Sequence, residues 1–120
     1  MKGLMQSFRY AIQGFCAAVR RERNLKIHLS AMAVAFVLAL WLGFTAGELA
    51  VLTLICALVI ICELINTAIE AAVDLACPKQ NHLAGFAKDV AAAAVFISAL
   101  AAVVCALVLY IPYIKNLWGS

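Results

Sequence analysis

The sequence predicts an all-α integral membrane protein, with an amphipathic N-terminal surface helix followed by three transmembrane helices. Three observations carry this reading. Of the 120 residues, 68% are hydrophobic and only 12% are charged, against about a quarter charged in a soluble domain. The apolar residues gather into three stretches, about 29–46, 49–75 and 90–111, each of the length a helix needs to cross a hydrocarbon core of ~30 Å. The acids in the second stretch share one helix face, as a random polar scatter would not. Residues 1–120 read as a single membrane-embedded domain, with no linker, low-complexity tract or internal repeat. The first thirty residues hold six Lys and Arg and no apolar core ahead of a small-residue cleavage site, so no signal peptide is expected.

Within residues 4–20, Leu4, Phe8, Ala11, Ile12, Phe15 and Val19 form one stripe, and Gln6, Arg9, Gln13 and Arg20 lie largely off it. That is the pattern of a helix lying in a membrane surface. Arg9 and the cluster Arg20, Arg21, Arg23 and Lys26 are expected to meet anionic headgroups. No nucleic-acid partner is expected. Glu22 is a lone acid among these bases.

Leu29 to Ala46 is uncharged for eighteen residues, with Trp41 near its end, and makes the first span. Thr45-Ala46-Gly47-Glu48 then reverses the chain, with Glu48 read as a solvated turn residue. The second span opens with fourteen uncharged residues, Leu49 to Cys62. These cover only about 21 Å at ~1.5 Å each, so Glu63 is expected inside the apolar boundary, where a polar group is expensive. At ~100° per residue Glu63, Asn66, Glu70 and Asp74 fall at about 0°, 300°, 340° and 20°. Glu70 lies about 10 Å further along the axis, in the headgroup zone. Cys77-Pro78 closes the span, because proline cannot continue a helix and restricts the residue before it. Lys79 to Asp89 reads as a polar loop, and Val90 to Ile111 as the third span. The run Ala91 to Ala94 permits close helix approach, and Pro112, Tyr113 and Trp118 mark the far interface.

Six Lys and Arg precede the first span and two lie between the second and third, against none in the first turn and one, Lys115, near the carboxyl terminus. This asymmetry predicts a cytoplasmic amino terminus and 79–89 segment, with the carboxyl terminus outside. Glu22, Glu63, Asn66, Glu70, Asp74, Lys88 and Asp89 then gather at the cytoplasmic end. Carboxylates with an asparagine and a lysine suit a magnesium and phosphate site, with hard oxygens on the metal and lysine against phosphate charge. The chain has neither G-x-x-x-x-G-K-[ST] nor G-x-G-x-x-G, so a nucleotide would be held by side chains on helices. The five cysteines form no C-x-x-C pair and read as small apolar residues, and His28 and His82 as interfacial ones.

The stretch Glu63-x-Ile65-Asn66-Thr67-Ala68-Ile69-Glu70-x-x-Val73-Asp74 resembles the signature of the prokaryotic diacylglycerol kinase family. Ala87-Lys88-Asp89-Val90-Ala91-Ala92-Ala93-Ala94-Val95 resembles the family's entry into its third span, and Glu22-Arg23-Asn24-Leu25-Lys26-Ile27-His28 its Gram-positive branch, which contains undecaprenol kinases. The resemblance implies transfer of the γ-phosphate of MgATP to a lipid alcohol by a homotrimer in the bacterial cytoplasmic membrane, with sites at subunit boundaries. It makes Glu63 the base on the lipid hydroxyl, Glu22 and Glu70 the ligands of Mg²⁺, and Glu22, Asn66, Glu70, Lys88 and Asp89 the groups around ATP. Tyr10, Asp74, Lys79, Gln80 and Asn81 fall at further positions near the nucleotide. An apolar boundary gives Glu63 an independent rationale, since desolvation makes a carboxylate a stronger proton acceptor. Undecaprenol is the expected acceptor, with diacylglycerol the alternative. A small multidrug-type transporter would also be about this size, but it would hold its acid near the midplane rather than in a row leading to one surface. A non-catalytic assembly protein is a third reading, and it predicts no consumption of ATP.

Overall fold

The structure, a computed structural model, describes residues 2–119. It consists of four helices, α1 (Lys2–Arg21), α2 (Arg23–Leu42), α3 (Ala46–Ala76) and α4 (His82–Gly119). Three of them, α2, α3 and α4, are long and apolar enough to cross a membrane. The closest pair is α3 with α4, α2 packs along α3, and α1 touches both α2 and α3, within an envelope of 60 × 42 × 21 Å.

Local chemistry explains several of the helix ends, and the helices do not share the bounds of the apolar stretches. The first apolar stretch reaches Ala46, but α2 stops at Leu42. Gly43 adopts φ +84°, a left-handed conformation that glycine takes without strain, and its N–H reaches Ala39 O at 3.1 Å and Leu40 O at 3.3 Å. Thr45 then opens α3 with a capping box. Its hydroxyl accepts from Glu48 N–H at 3.2 Å, while the Thr45 N–H donates to Glu48 Oε1 at 2.8 Å. Glu48 also accepts a hydrogen bond from the Tyr113 hydroxyl, so it is a tie between α3 and α4 rather than a solvated turn residue.

The expected polar loop at 79–89 is shorter than its composition suggests. Asn81 Oδ1 accepts from Leu83 N–H at 2.8 Å and from Ala84 N–H at 3.3 Å, which caps α4 and starts it at His82. Lys88 and Asp89 are therefore helical. At the other end α4 runs through Pro112 to Gly119, forgoing the single backbone bond for which proline has no N–H.

Burial follows a heptad-like stripe on each long helix. On α3 the buried residues are Leu52, Val59 and Glu63, and on α4 they include Ala91 and Ser98. At the end remote from Glu63, Ala39, Phe44, Leu52 and Tyr110 form a small core, with the Phe44 ring 4.7 Å from that of Tyr110 and 4.9 Å from that of Tyr113. The Tyr110 hydroxyl donates to Ala35 O and ties α4 to α2. All five cysteines are free; Cys16 is exposed and the others are half-buried.

Candidate functional site

Glu63 sits in the apolar stripe of α3 and is only 2% exposed. Three groups act on it electrostatically: His28 from α2, Glu22 from the break between α1 and α2, and Glu70 two turns along α3. His28 Nδ1 lies 3.1 Å from Glu63 Oε1. The approach is off the line of a directed hydrogen bond, and both atoms are shut away from solvent without another partner. The Thr67 hydroxyl donates to the Glu63 carbonyl at 2.9 Å, leaving the carboxylate to the side-chain cluster.

One turn outward from Glu63, Asn66 Nδ2 donates to Glu70 Oε1 at 3.2 Å, the i,i+4 contact their spacing allows. Asn66 Oδ1 is buried without a protein partner, an open acceptor beside the Glu70 carboxylate. Glu22 occupies the single residue between α1 and α2, with extended backbone (φ −101°, ψ 115°). Its half-buried carboxylate is 3.7 Å from Nε of the exposed Arg21, a loose pair of little energetic weight.

Where α3 meets α4, an open cleft of about 730 Å³ is lined by Asp74, Lys79, Gln80, Asn81, Lys88 and Asp89, along with His82 and others. Six of the residues singled out from sequence thus share one cavity. Lys88 Nζ pairs with Asp74 Oδ1 at 2.5 Å and also lies within electrostatic reach of Glu70, which connects the cleft to the carboxylate row. The Asn81 side-chain oxygen is already engaged in capping α4. Tyr10 stands apart on α1, 64% exposed.

The sequence-derived residues therefore form two adjoining groups, a buried one around Glu63 and an open one between α3 and α4. His28 is the member that sequence reasoning missed, having been read as merely interfacial. The available signal was its place at the end of the Glu22-to-His28 segment, six residues from an acid already assigned to the site. Among the described residues no three His, Cys, Asp or Glu side chains come together as a metal-holding group. Mg²⁺ needs no such cluster: it takes one or two carboxylates, such as those the sequence assigns to it at Glu22 and Glu70, and completes its shell with water and substrate phosphates.

A family model described as "Prokaryotic diacylglycerol kinase" matches residues 9–110. A diacylglycerol kinase of Synechocystis is 42% identical over 115 residues, covering 95% of this chain and 66% of that one. An undecaprenol kinase of Bacillus subtilis is 33% identical over 107 residues, covering 89% of this chain and 87% of that one. A diacylglycerol kinase of Pseudomonas aeruginosa is 34% identical over 98 residues, covering 82% and 80% respectively.

Proposed function

The chain belongs to the prokaryotic diacylglycerol kinase family of lipid-alcohol kinases, and from that premise we propose that it transfers the γ-phosphate of MgATP to undecaprenol. The observation that carries the reading is the gradient along α3. A carboxylate buried in an apolar stripe at Glu63 is followed outward by Glu70 and then by a cleft bearing Lys79 and Lys88. An alcohol on a lipid chain approaches the first, and a polyphosphate the last.

In this reading Glu63 accepts the proton of the lipid hydroxyl as that oxygen attacks the γ-phosphorus. Glu22 and Glu70 would hold Mg²⁺, and Asn66 fixes the Glu70 carboxylate through the bond at 3.2 Å. When bound, the metal neutralises phosphate charge on the nucleotide. Lys88 exchanges Asp74 for phosphate, and Asp89, Lys79, Gln80 and the backbone around Asn81 line the nucleotide's side of the cleft. Tyr10 is a further contact only if α1 folds over that cleft.

Undecaprenol is favoured because the segment resembling the Gram-positive branch supplies two of the three groups that act on Glu63, namely Glu22 and His28. That segment therefore bears on the acceptor end of the site. Diacylglycerol is the second reading, favoured by the names of the Synechocystis and Pseudomonas relatives. The large apolar side chains exposed on α1, among them Leu4, Met5, Phe8 and Ile12, support a helix lying in the cytoplasmic membrane surface. The orientation with the amino terminus inside, and assembly as a homotrimer, belong to the same proposal.

Purified protein in mixed micelles with γ-labelled MgATP, offered undecaprenol, diacylglycerol and ceramide in parallel, tests it. Label in undecaprenol above the others is expected. Faster labelling of diacylglycerol would reverse the substrate assignment, and label in no lipid would remove the kinase reading. Glu70→Gln is expected to raise the Mg²⁺ concentration for half-maximal rate; an unchanged metal dependence would take Glu70 out of the ligand set.

A further inference from the structure

His28 has no part in the reaction as set out above, yet its imidazole is the group nearest the Glu63 carboxylate. The Nδ1–Oε1 distance is 3.1 Å, with 3% of the Glu63 side chain exposed and 27% of that of His28. The same imidazole lines an apolar cavity of about 320 Å³ with Ala31, Ala35, Val59 and Ala102. It therefore borders both the carboxylate and the apolar interior. Of the groups acting on Glu63, Glu22 and Glu70 are acids, and His28 alone can donate a proton or carry positive charge. Two neighbouring carboxylates repel a third, so without the imidazole nothing in this cluster would hold the Glu63 side chain in place.

We propose that His28 is a positioning residue for phosphoryl transfer, its Nδ1–H donating to Glu63 Oε1 and fixing the carboxylate so that Oε2 faces the lipid hydroxyl. The inference rests on the reading of Glu63 as the base. The short but poorly aligned contact is the resting form of such a pair, which tightens when substrate is bound. In the step, the alcohol proton passes to Glu63 Oε2, the alcohol oxygen bonds to the γ-phosphorus, and the bond from that phosphorus to the bridging oxygen of ADP breaks. His28 keeps its own proton throughout.

Side-chain geometry supplies the test. The amide nitrogen of asparagine is attached to Cγ, as Nδ1 of histidine is, whereas the amide nitrogen of glutamine sits one bond further out, near Nε2. His28→Asn, His28→Gln and His28→Leu are compared in the full-length protein, together with Glu63→Gln. The Leu and Gln variants are expected to lose kcat by about 10–10²-fold, less than the ~10²–10⁴-fold a general base contributes, with KM for MgATP and lipid unchanged. His28→Asn is expected to retain most of the wild-type kcat. MgATP binding and the thermal midpoint report folding, and if His28→Leu does not fold, the comparison of Asn with Gln decides alone. Equal loss in Asn and Gln, or loss in KM instead of kcat, would overturn the role of His28 while leaving the kinase reading intact. A fully active Glu63→Gln would overturn the base assignment and this inference with it.

Discussion

Glu63 occupies a position that the rest of its stripe gives to Leu52 and Val59, and folding bears the cost of burying a carboxylate there. Replacing both members of this buried pair by hydrophobic residues is expected to stabilise the protein. For Glu63→Leu combined with His28→Leu the expected gain is about 1–3 kcal/mol, read as a higher thermal midpoint in detergent, together with loss of phosphoryl transfer. Glu63→Gln is expected to lower kcat by at least ~10²-fold while MgATP still binds, measured by nucleotide titration. A variant both less stable and fully active would contradict both statements. At this scale the sequence was informative wherever residues share one helix, since Glu63, Asn66, Glu70 and Asp74 are placed by the helical period alone. His28 was not legible in the same way. Its partner lies 35 positions away on another helix, and no spacing rule says which residues of two packed helices meet.

The helix ends decide where the second half of the site lies. Asn81 looks like one more polar residue in a loop, but its side-chain oxygen starts α4 at His82 and so brings Lys88 and Asp89 into register with Asp74. Asn81→Ala is expected to cost about 1 kcal/mol through the lost cap. Because the cleft depends on that helix start, it is also expected to raise KM for MgATP more than it lowers kcat. Unchanged KM with lowered stability would mean that the cap serves the fold alone. Thr45 and Glu48 read as a plain turn in the sequence, and the structure makes them the capping box of α3; the further bond from Tyr113 to Glu48 depends on tertiary packing. Pro112 lies within α4: in a helix this long, one missing backbone bond does not outweigh the packing on either side.

Taken whole, the chain keeps much of its apolar surface uncovered. Val34, Val37, Leu40 and Trp41 on α2 and Phe96, Ile97, Val104 and Val108 on α4 are all largely exposed. Lipid covers such faces as readily as protein does, which is why neither composition nor periodicity specifies a subunit count. Native mass measurement or cross-linking in detergent is expected to give three copies, and a monomer with full activity would remove assembly from the account. The three long apolar helices were legible because they depend on composition along the chain. The two adjoining residue groups of the site depend on how α2, α3 and α4 pack.

The single-residue break at Glu22 has a mechanical consequence. The two hydrogen-bond ladders meet on this residue, Glu22 N–H donating to Ala18 O at 2.8 Å at the end of α1 and Glu22 O accepting from Lys26 N–H at 3.4 Å at the start of α2, while its extended backbone turns the chain between them. A change in the tilt of α1 is then expected to move the Glu22 carboxylate relative to Glu63. Arg9, Arg20 and Arg21 give a charged bilayer a handle on that tilt. Vesicles with increasing anionic lipid are therefore expected to shift the Mg²⁺ concentration for half-maximal rate, an effect that Glu22→Gln should abolish. The surface charge of the membrane would in this way enter the rate law of an enzyme whose substrate lives in that same membrane.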